Sequence, residues 1–553
     1  MTQAIESKNN NLLLTCDTLI AGGGIAGLVT AYELLKQGQQ VYIVDRDTPE
    51  RLGGLARWAF GGMALSKTQQ QKKLKIPDSN ERFLTDWHNF AAFNEDDIWP
   101  KKWAKEYTDN NTERVYRYII DELKLSFLPA VNWVERGLFG EGNSLPRYHI
   151  LWGTGWHLVE ALISKIKPYQ QTGKLTLLHQ HKMFGLYLKN NDVAGGEILN
   201  EQTNDCFIIQ AKQTVIACGG INGSTERVKQ NWPKNWGEPP TNLLNGANPI
   251  SDGLLHDEVN HLGGKITHVE NMWNYAAGIK HPQAEFKDHG LSLIPCKSAL
   301  WLDHQGIRIG PMPLVTGFDT RYLCQQVSQL EKPWTWQILN WKIAAKELAV
   351  SGSQHNPSIR NKSLFGLLKE LLLGNQKLIH QLEQESDDFI VADNLAQLVT
   401  KMNSKTDQNY LKLDSLAATI NHYDQRLLSG EALQNDDQVR RIHHARQWSA
   451  DKLRTCKPTP IIQQGVKLIA IKCQLISRKS LGGIQTNLAS QVLNKEGDII
   501  KNLYSVGEAA GFGGGGANGL RSLEGTFLSA CILTARNAAD AIVLQQTQQN
   551  NNR

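Results

Sequence analysis

The chain's 553 residues are too many for one ordinary hydrophobic core, so two or more domains are expected. Hydrophobic residues make up 41% and charged residues 20%, the balance of a soluble globular protein. A net charge of +5 is too small at this length to indicate a nucleic-acid surface, and eight scattered cysteines without a CxxC pair suggest neither a zinc site nor a redox dithiol.

The N-terminal MTQAIESKNNNLLL has no basic segment followed by a long apolar core, so no signal peptide is read and a cytoplasmic protein with reduced thiols is expected. By its sequence pattern no apolar stretch is expected to approach the ~20 residues that cross a bilayer, so no integral membrane segment is expected. Residues 1–11 and 546–553 read as flexible polar tails.

The first informative stretch is TCDTLIAGGGIAGLVTAYELLKQGQQVYIVDRD, residues 15–47. A short apolar strand ends at Ala21, and Gly22-x-Gly24-x-x-Gly27 follows at once. A helix then carries Ile25, Leu28, Val29, Tyr32 and Leu35 on one stripe to about Gln37, and Val41 to Val44 form the next strand, closed by Asp45. Gly22 permits the tight turn, and a side chain at Gly24 would block close approach of phosphates. Gly27 lets the helix pack on the strand, while the first helix N–H groups, at Ile25 and Ala26, face the anion. Asp45 accepts from a ribose diol, with Arg46 beside it. The signature identifies a dinucleotide site and does not choose between NAD and FAD.

GGLARWAFGGMA at 53–64 is a second glycine-rich segment, suited to run along a long cofactor through Gly54, Leu55, Ala56, Gly61 and Gly62. Residues 80–128 read as helical and tryptophan-rich. Residues 175–210 alternate apolar segments with turns, the pattern of a small antiparallel meander. TVIACGGING at 214–223 is a buried strand ending at Gly219 and Gly220, and SDG at 251–253 precedes a helix. From about 268 to 455 the glycine turns thin out and helical stretches are expected at 335–350, 361–385 and 408–430. Cofactor motifs lie on both sides of this region. The expected fold is therefore α/β: a Rossmann-like nucleotide-binding domain in two parts, 12–267 and 456–545, interrupted by a mainly helical α+β cap at 268–455. Near the end, GEAAGFGGGGANGLRSLEGTFL concentrates glycines at 511–516 before a helix whose Phe527, Cys531, Ile532, Ala535, Ala538, Ala539 and Ile542 recur at helical spacing. His443 and His444 are adjacent on a helix and point apart, so no metal is expected.

The motifs GGGIAGLVTAYEL, GGLARWAFGGMA, VIACGGING, SDGLLHDEVNHLGGKI, SLGGIQTNL and LYSVGEAAGFGGGGANG occur in the order of the flavoprotein family of fumarate reductases, succinate dehydrogenase flavoprotein subunits and 3-ketosteroid dehydrogenases, which the chain resembles over about residues 15–545. PRYHILWGTG, MWNYAAGI, GFDT and LRSLEGTFL look like a bacterial subgroup of FAD-binding dehydrogenases. The resemblance implies extended FAD with its flavin between the nucleotide domain and the cap. It assigns the pyrophosphate to Gly22, Gly24 and Gly27, the adenosine ribose to Asp45, and the ribityl chain to Glu508 of the Gly507-Glu508 pair. Gly219 and Gly220 lie beside the cofactor. The 511–516 glycines would let a flat ring lie on bare backbone, with the helix N-terminus at Gly525, Thr526 and Phe527 next to the flavin. GGLARWAFGG lacks the histidine that members with covalent flavin use, so noncovalent FAD is expected.

The family's reaction makes or reduces a C=C bond beside a carbonyl, which needs a hydride carrier, a proton carrier and a polarising donor. Three candidates follow, and a fourth residue, Asp319, would act only through a partner. Arg521 either binds substrate or pairs with Glu524 or a phosphate. His149 either carries a proton or bonds backbone. Tyr275 is either proton carrier or packing, and Asp319 either orients a partner or forms a turn. Three readings compete: oxidation or reduction next to a ketone on a bulky apolar substrate, reduction of a small dicarboxylate as in fumarate reductase, and a non-enzymatic flavin scaffold. Against the second, HQGIRIGPMP has Arg308 without the reductases' Phe and Glu. No second dinucleotide signature or iron–sulfur pattern names the electron acceptor, which stays unidentified.

Overall fold

The computed structural model describes residues 13–133, 141–310, 312–315 and 319–551. The 1–11 tail, residues 134–140, and Gly317 and Phe318 of GFDT lie outside the described residues. The first sheet is wound around the strand Leu13–Ala21. That strand pairs in parallel with Val41–Asp45 on one side and Cys206–Ile216 on the other. Leu175–His179 and Ile499–Ser505 extend the parallel ladder outward on the two sides. Leu19, Ile20 and Ala21 are buried in succession, as a parallel strand covered on both faces requires. The expected meander is present as His181–Lys189, Asp192–Asn200 and Cys206–Ile216.

The helix Ile25–Lys36 follows the first strand and packs against Thr154–Gln171 and the last helix, Thr526–Asn551. All seven apolar residues of the expected stripe on that last helix are buried. Two expectations are corrected there. The helix continues to Asn551, beyond the tail boundary at 546, and Gln39 Nε2 donates to Gln546 Oε1 at 3.0 Å. Residues Thr526–Gln548 are also long and apolar enough to span a bilayer, with a mean hydropathy of 1.4 in the most apolar window. Of that window, 61% is buried inside the protein, because the alanine-rich face fits against the first helix.

A second sheet is built around one long strand, Leu468–Ser480. Its first half pairs antiparallel with Trp334–Asn340 and Phe389–Ala392. Its second half pairs with Met272–Lys280 and, in parallel, with Leu244–Asn245. The region between is thus more β-rich than its helical patterning suggests. Trp334–Asn340, expected as the start of a helix, is a strand buried at nearly every position, and Trp334-Thr335-Trp336-Gln337-Ile338 has the two-residue alternation of a strand. The 361–385 and 408–430 stretches are helical, as Leu364–Leu373, Gln376–Glu385 and Leu413–Arg426. A small third sheet joins Gly62–Ala64, Phe127–Asn132 and Tyr148–Leu151.

Candidate active site

A single cavity of about 850 Å³ runs from the first glycine turn to the second sheet. At one end it is lined by Gly22, Gly24 and Asp45, and at the other by Tyr275, Arg478 and Glu524. The first turn is shaped for an anion. A Cβ at Gly22 would strike the Ala217 carbonyl, and one at Gly27 the Gly22 carbonyl, so both are demanded by protein packing. A Cβ at Gly24 would meet no atom within 4 Å, because that position faces the cavity. The helix that begins there has no side-chain cap, which leaves its first N–H groups for a ligand. Ile25 and Ala26 line the cavity beside it.

Asp45 closes the second strand and accepts from the backbone N–H of Gly23, which ties the acid to the turn. Arg46 pairs with Glu201 at 2.9 Å and Asp252 at 2.8 Å. The second glycine segment is fastened to the first, since Gly53 N donates to Gly23 O at 2.9 Å. Gly54, Leu55, Ala56, Gly61 and Gly62 all line the cavity. Gly219 lines it too. Gly220 instead packs behind Glu508: a Cβ there would come 2.7 Å from Glu508 Oε1. Glu508 keeps one face on the cavity, enclosed by protein, and that loss of hydration pushes its carboxyl up to about 7. Ser480 N donates to it at 2.9 Å. Gly507 sits behind it, in contact range of the Ala26 side chain. Phe527 faces the cavity, whereas Gly525 and Thr526 support it from behind: Thr526 Oγ1 donates to Leu523 O at 2.9 Å.

The glycines at 513–516 do not form the floor of this cavity, contrary to expectation; Phe512 lines it in their place. A Cβ at Gly514 would lie 2.5 Å from the Trp103 ring, and one at Gly515 2.7 Å from it. The run is bare because tryptophans press on it.

The three chemical candidates separate clearly. His149 is fully buried, with Nε2 2.7 Å from Thr68 Oγ1 and Nδ1 2.6 Å from Arg147 O. Burial pushes its imidazole down to about 4, and it does not reach the cavity. It packs the small third sheet, next to the buried Arg147, which bonds Asp78 and Asp86. Arg521 pairs through Nε with Asp319, whose other carboxylate oxygen caps the helix Thr320–Ser328 at Tyr322 N. Neither Glu524 nor the cavity is its partner in this pairing. Tyr275 is the one of the three that lines the cavity; its Oη donates to Glu524 Oε2 at 3.4 Å. Sequence reasoning missed Arg478 and Lys479, which end the long central strand just before SLGGIQTNL. Arg478 donates to Gly246 O at 2.6 Å, while its Nε is buried without a hydrogen-bond partner. Lys479 lies over the Phe527 ring at 4.0 Å. Nothing in the local sequence distinguishes these cations from surface ones.

The family described as FAD binding domain matches residues 17–528, nearly the whole chain. The protein belongs to the FAD-binding-domain family. Its cofactor is FAD, and it is a FAD-dependent oxidoreductase. A KsdD-like steroid dehydrogenase of Mycobacterium tuberculosis strain H37Rv is 35% identical over 545 residues, 95% of each chain. Among solved structures, 3-ketosteroid Δ1-dehydrogenase from Sterolibacterium denitrificans matches with a TM-score of 0.68 at 13% identity, over 96% of this chain and 100% of that one. A flavocytochrome c3 fumarate reductase matches with a TM-score of 0.67 at 18% identity, over 96% of this chain and 78% of that one. The FAD-binding-domain fold is therefore shared with both branches of the resemblance, and Gly22, Gly24, Asp45 and Glu508 line one cavity.

Proposed function

We propose that this enzyme dehydrogenates, or reduces, a C–C bond beside a ketone on an apolar, steroid-like substrate. The single observation that carries the reading is a mostly apolar cavity lined at one end by Tyr275 and by Arg478, whose guanidinium lies 6.0 Å from the Tyr275 ring centre. The high identity to KsdD-like steroid dehydrogenases supports it. FAD, when bound, supplies the two-electron hydride carrier. Gly22, Gly24 and the helix N-terminus would hold its pyrophosphate, Asp45 its adenosine ribose and Glu508 its ribityl chain, without a covalent link. The residues 268–455 and the strands that flank them form the cap over it.

The Arg478 guanidinium at the same end donates to the ketone oxygen and polarises it. Tyr275 Oη takes the proton from the carbon next to that carbonyl while its own proton passes to Glu524 Oε2. In the reductive direction the same proton returns. A dicarboxylate reading is weaker, because the two arginines that the reductase resemblance would use are held elsewhere: Arg308 by Asp436 and Gln438, and Arg521 by Asp319. The electron acceptor is a quinone, a carrier protein or oxygen.

Anaerobic titration with 3-ketosteroids, simple enones and fumarate, followed by flavin absorbance, tests the proposal. A 3-ketosteroid should bleach the oxidised flavin or an enone should reoxidise the reduced one. Tyr275→Phe should keep the flavin spectrum and slow this step by about 10²–10⁴-fold. Failure of every ketone and enone to bleach or reoxidise the flavin, or a Tyr275→Phe rate equal to wild type, would sink it.

A further inference from the structure

The helix Leu364–Leu373, LFGLLKELLL, stands at the mouth of the cavity with two apolar faces. Leu364, Leu367, Leu368 and Leu371 line the cavity. At 100° per residue the side centred on Phe365 and Leu372 points about a quarter-turn away from them. That side is open: Phe365 is 80% exposed and Leu372 83% exposed, and Leu364, Leu368 and Leu373 are exposed with them. Two more exposed apolar residues that line the cavity, Ile294 and Leu453, continue the rim. Single exposed leucines are ordinary, whereas several on one ten-residue helix form a patch of the kind that marks an interaction surface.

We infer that this helix docks the enzyme on an anionic lipid membrane, with the cavity mouth opening against the acyl chains. Charge decides the occupant. Lys362, Lys369 and Lys377 are exposed before, within and after the helix. The helix's one acid, Glu370, is turned inward to accept from Ser358 Oγ at 2.5 Å. A second copy meeting this face about a two-fold axis would set those lysines against their own equivalents, which repel. A bilayer carrying anionic headgroups attracts them, at ~1 kcal/mol per residue near the surface, while Phe365, Leu368 and Leu372 enter the headgroup boundary and the lysine stems reach back to it. An apolar substrate would then pass from lipid along the inner leucines without crossing water. The inference rests on exposed residues outside the reacting end and goes beyond the chemistry assigned above.

Flotation of the FAD-loaded full chain with phosphatidylcholine vesicles, with and without phosphatidylglycerol, tests it. The protein should float with the anionic vesicles and remain largely unbound with phosphatidylcholine alone. Phe365→Gln with Leu372→Gln should cut the floated fraction by about tenfold or more, and Lys362→Glu with Lys369→Glu should abolish the anionic preference. The apolar double variant should keep its flavin spectrum, its thermal transition and its turnover of a water-soluble enone. Wild-type protein that stays down with anionic vesicles, or apolar variants that float like wild type, would overturn the docking. So would self-association in sedimentation that the apolar variants abolish, since the face would then belong to a second copy. Normal flotation together with no flavin reduction by any ketone supports docking and defeats only the proposed reaction.

Discussion

The two glycine-rich loops of this protein have similar composition and opposite uses. In the first, Gly24 gives its bare face to an open cavity, while Gly22 and Gly27 are demanded by the backbone around them. In the second, Gly514 and Gly515 give theirs to Trp103, and the aromatic Phe512 touches the cavity instead. A missing side chain therefore marks close approach of something, and only the surroundings say whether that something is ligand or protein.

Substitutions at these glycines turn that contrast into separable effects. The largest is expected at Gly27→Val, where the new side chain meets the Gly22 carbonyl and lifts the helix off the strand. A loss of about 3–5 kcal/mol should appear as poor soluble yield and a collapsed thermal transition, with or without FAD. Gly24→Leu should leave the thermal transition of the flavin-free protein nearly unchanged, because its Cβ points into open space. FAD affinity should nevertheless fall by about 100-fold, or ~2.7 kcal/mol, measured by fluorescence titration. Gly514→Ala should do the reverse. With φ at +82° and Trp103 in the way, it should cost about 2 kcal/mol of stability and keep FAD affinity within about twofold in the folded fraction.

The smallest expected effect is a pH dependence set by Glu508, just before the second loop. Its carboxyl lies near 4.5 when hydrated and about 7 in the fold. The native state therefore holds the extra proton between those values. Its stabilising contribution is complete below about 4.5 and is lost as pH rises through about 7. The melting temperature of the FAD-free protein should fall by about a few degrees across that window, and Glu508→Gln should flatten the slope. An unchanged slope in that variant would place the titration elsewhere.

The first loop was legible because its chemistry is local. Strand, turn, helix and acid lie within 33 residues, and each glycine answers to a neighbour in that window. The second loop was misread because its partner, Trp103, lies more than 400 residues earlier. About half that separation hid the pairing of Arg521 with Asp319 and the placing of Arg478 beside Tyr275. His149 looked like chemistry because a histidine near a glycine pair is ambiguous until its burial is known. Trp334–Asn340 does alternate, as Trp-Thr-Trp-Gln-Ile, but the alternation is only five residues long and runs straight into the helix Trp341–Glu347, so the boundary between the two is hard to read. The helix Leu364–Leu373 was legible as an element, but its open face was not, since a run of leucines reads the same whether covered or bare.

The strand Leu468–Ser480 also fixes when this chain can finish folding. Trp334–Asn340, Met272–Lys280 and Phe389–Ala392 all wait for it as their shared neighbour, and Ile499–Ser505 follows it into the other sheet. During synthesis, neither half can close until about nine-tenths of the polypeptide has left the ribosome. Until then its apolar sheet edges are unpaired, so that slow translation or early termination leaves this chain more open to aggregation than a protein built from consecutive hairpins.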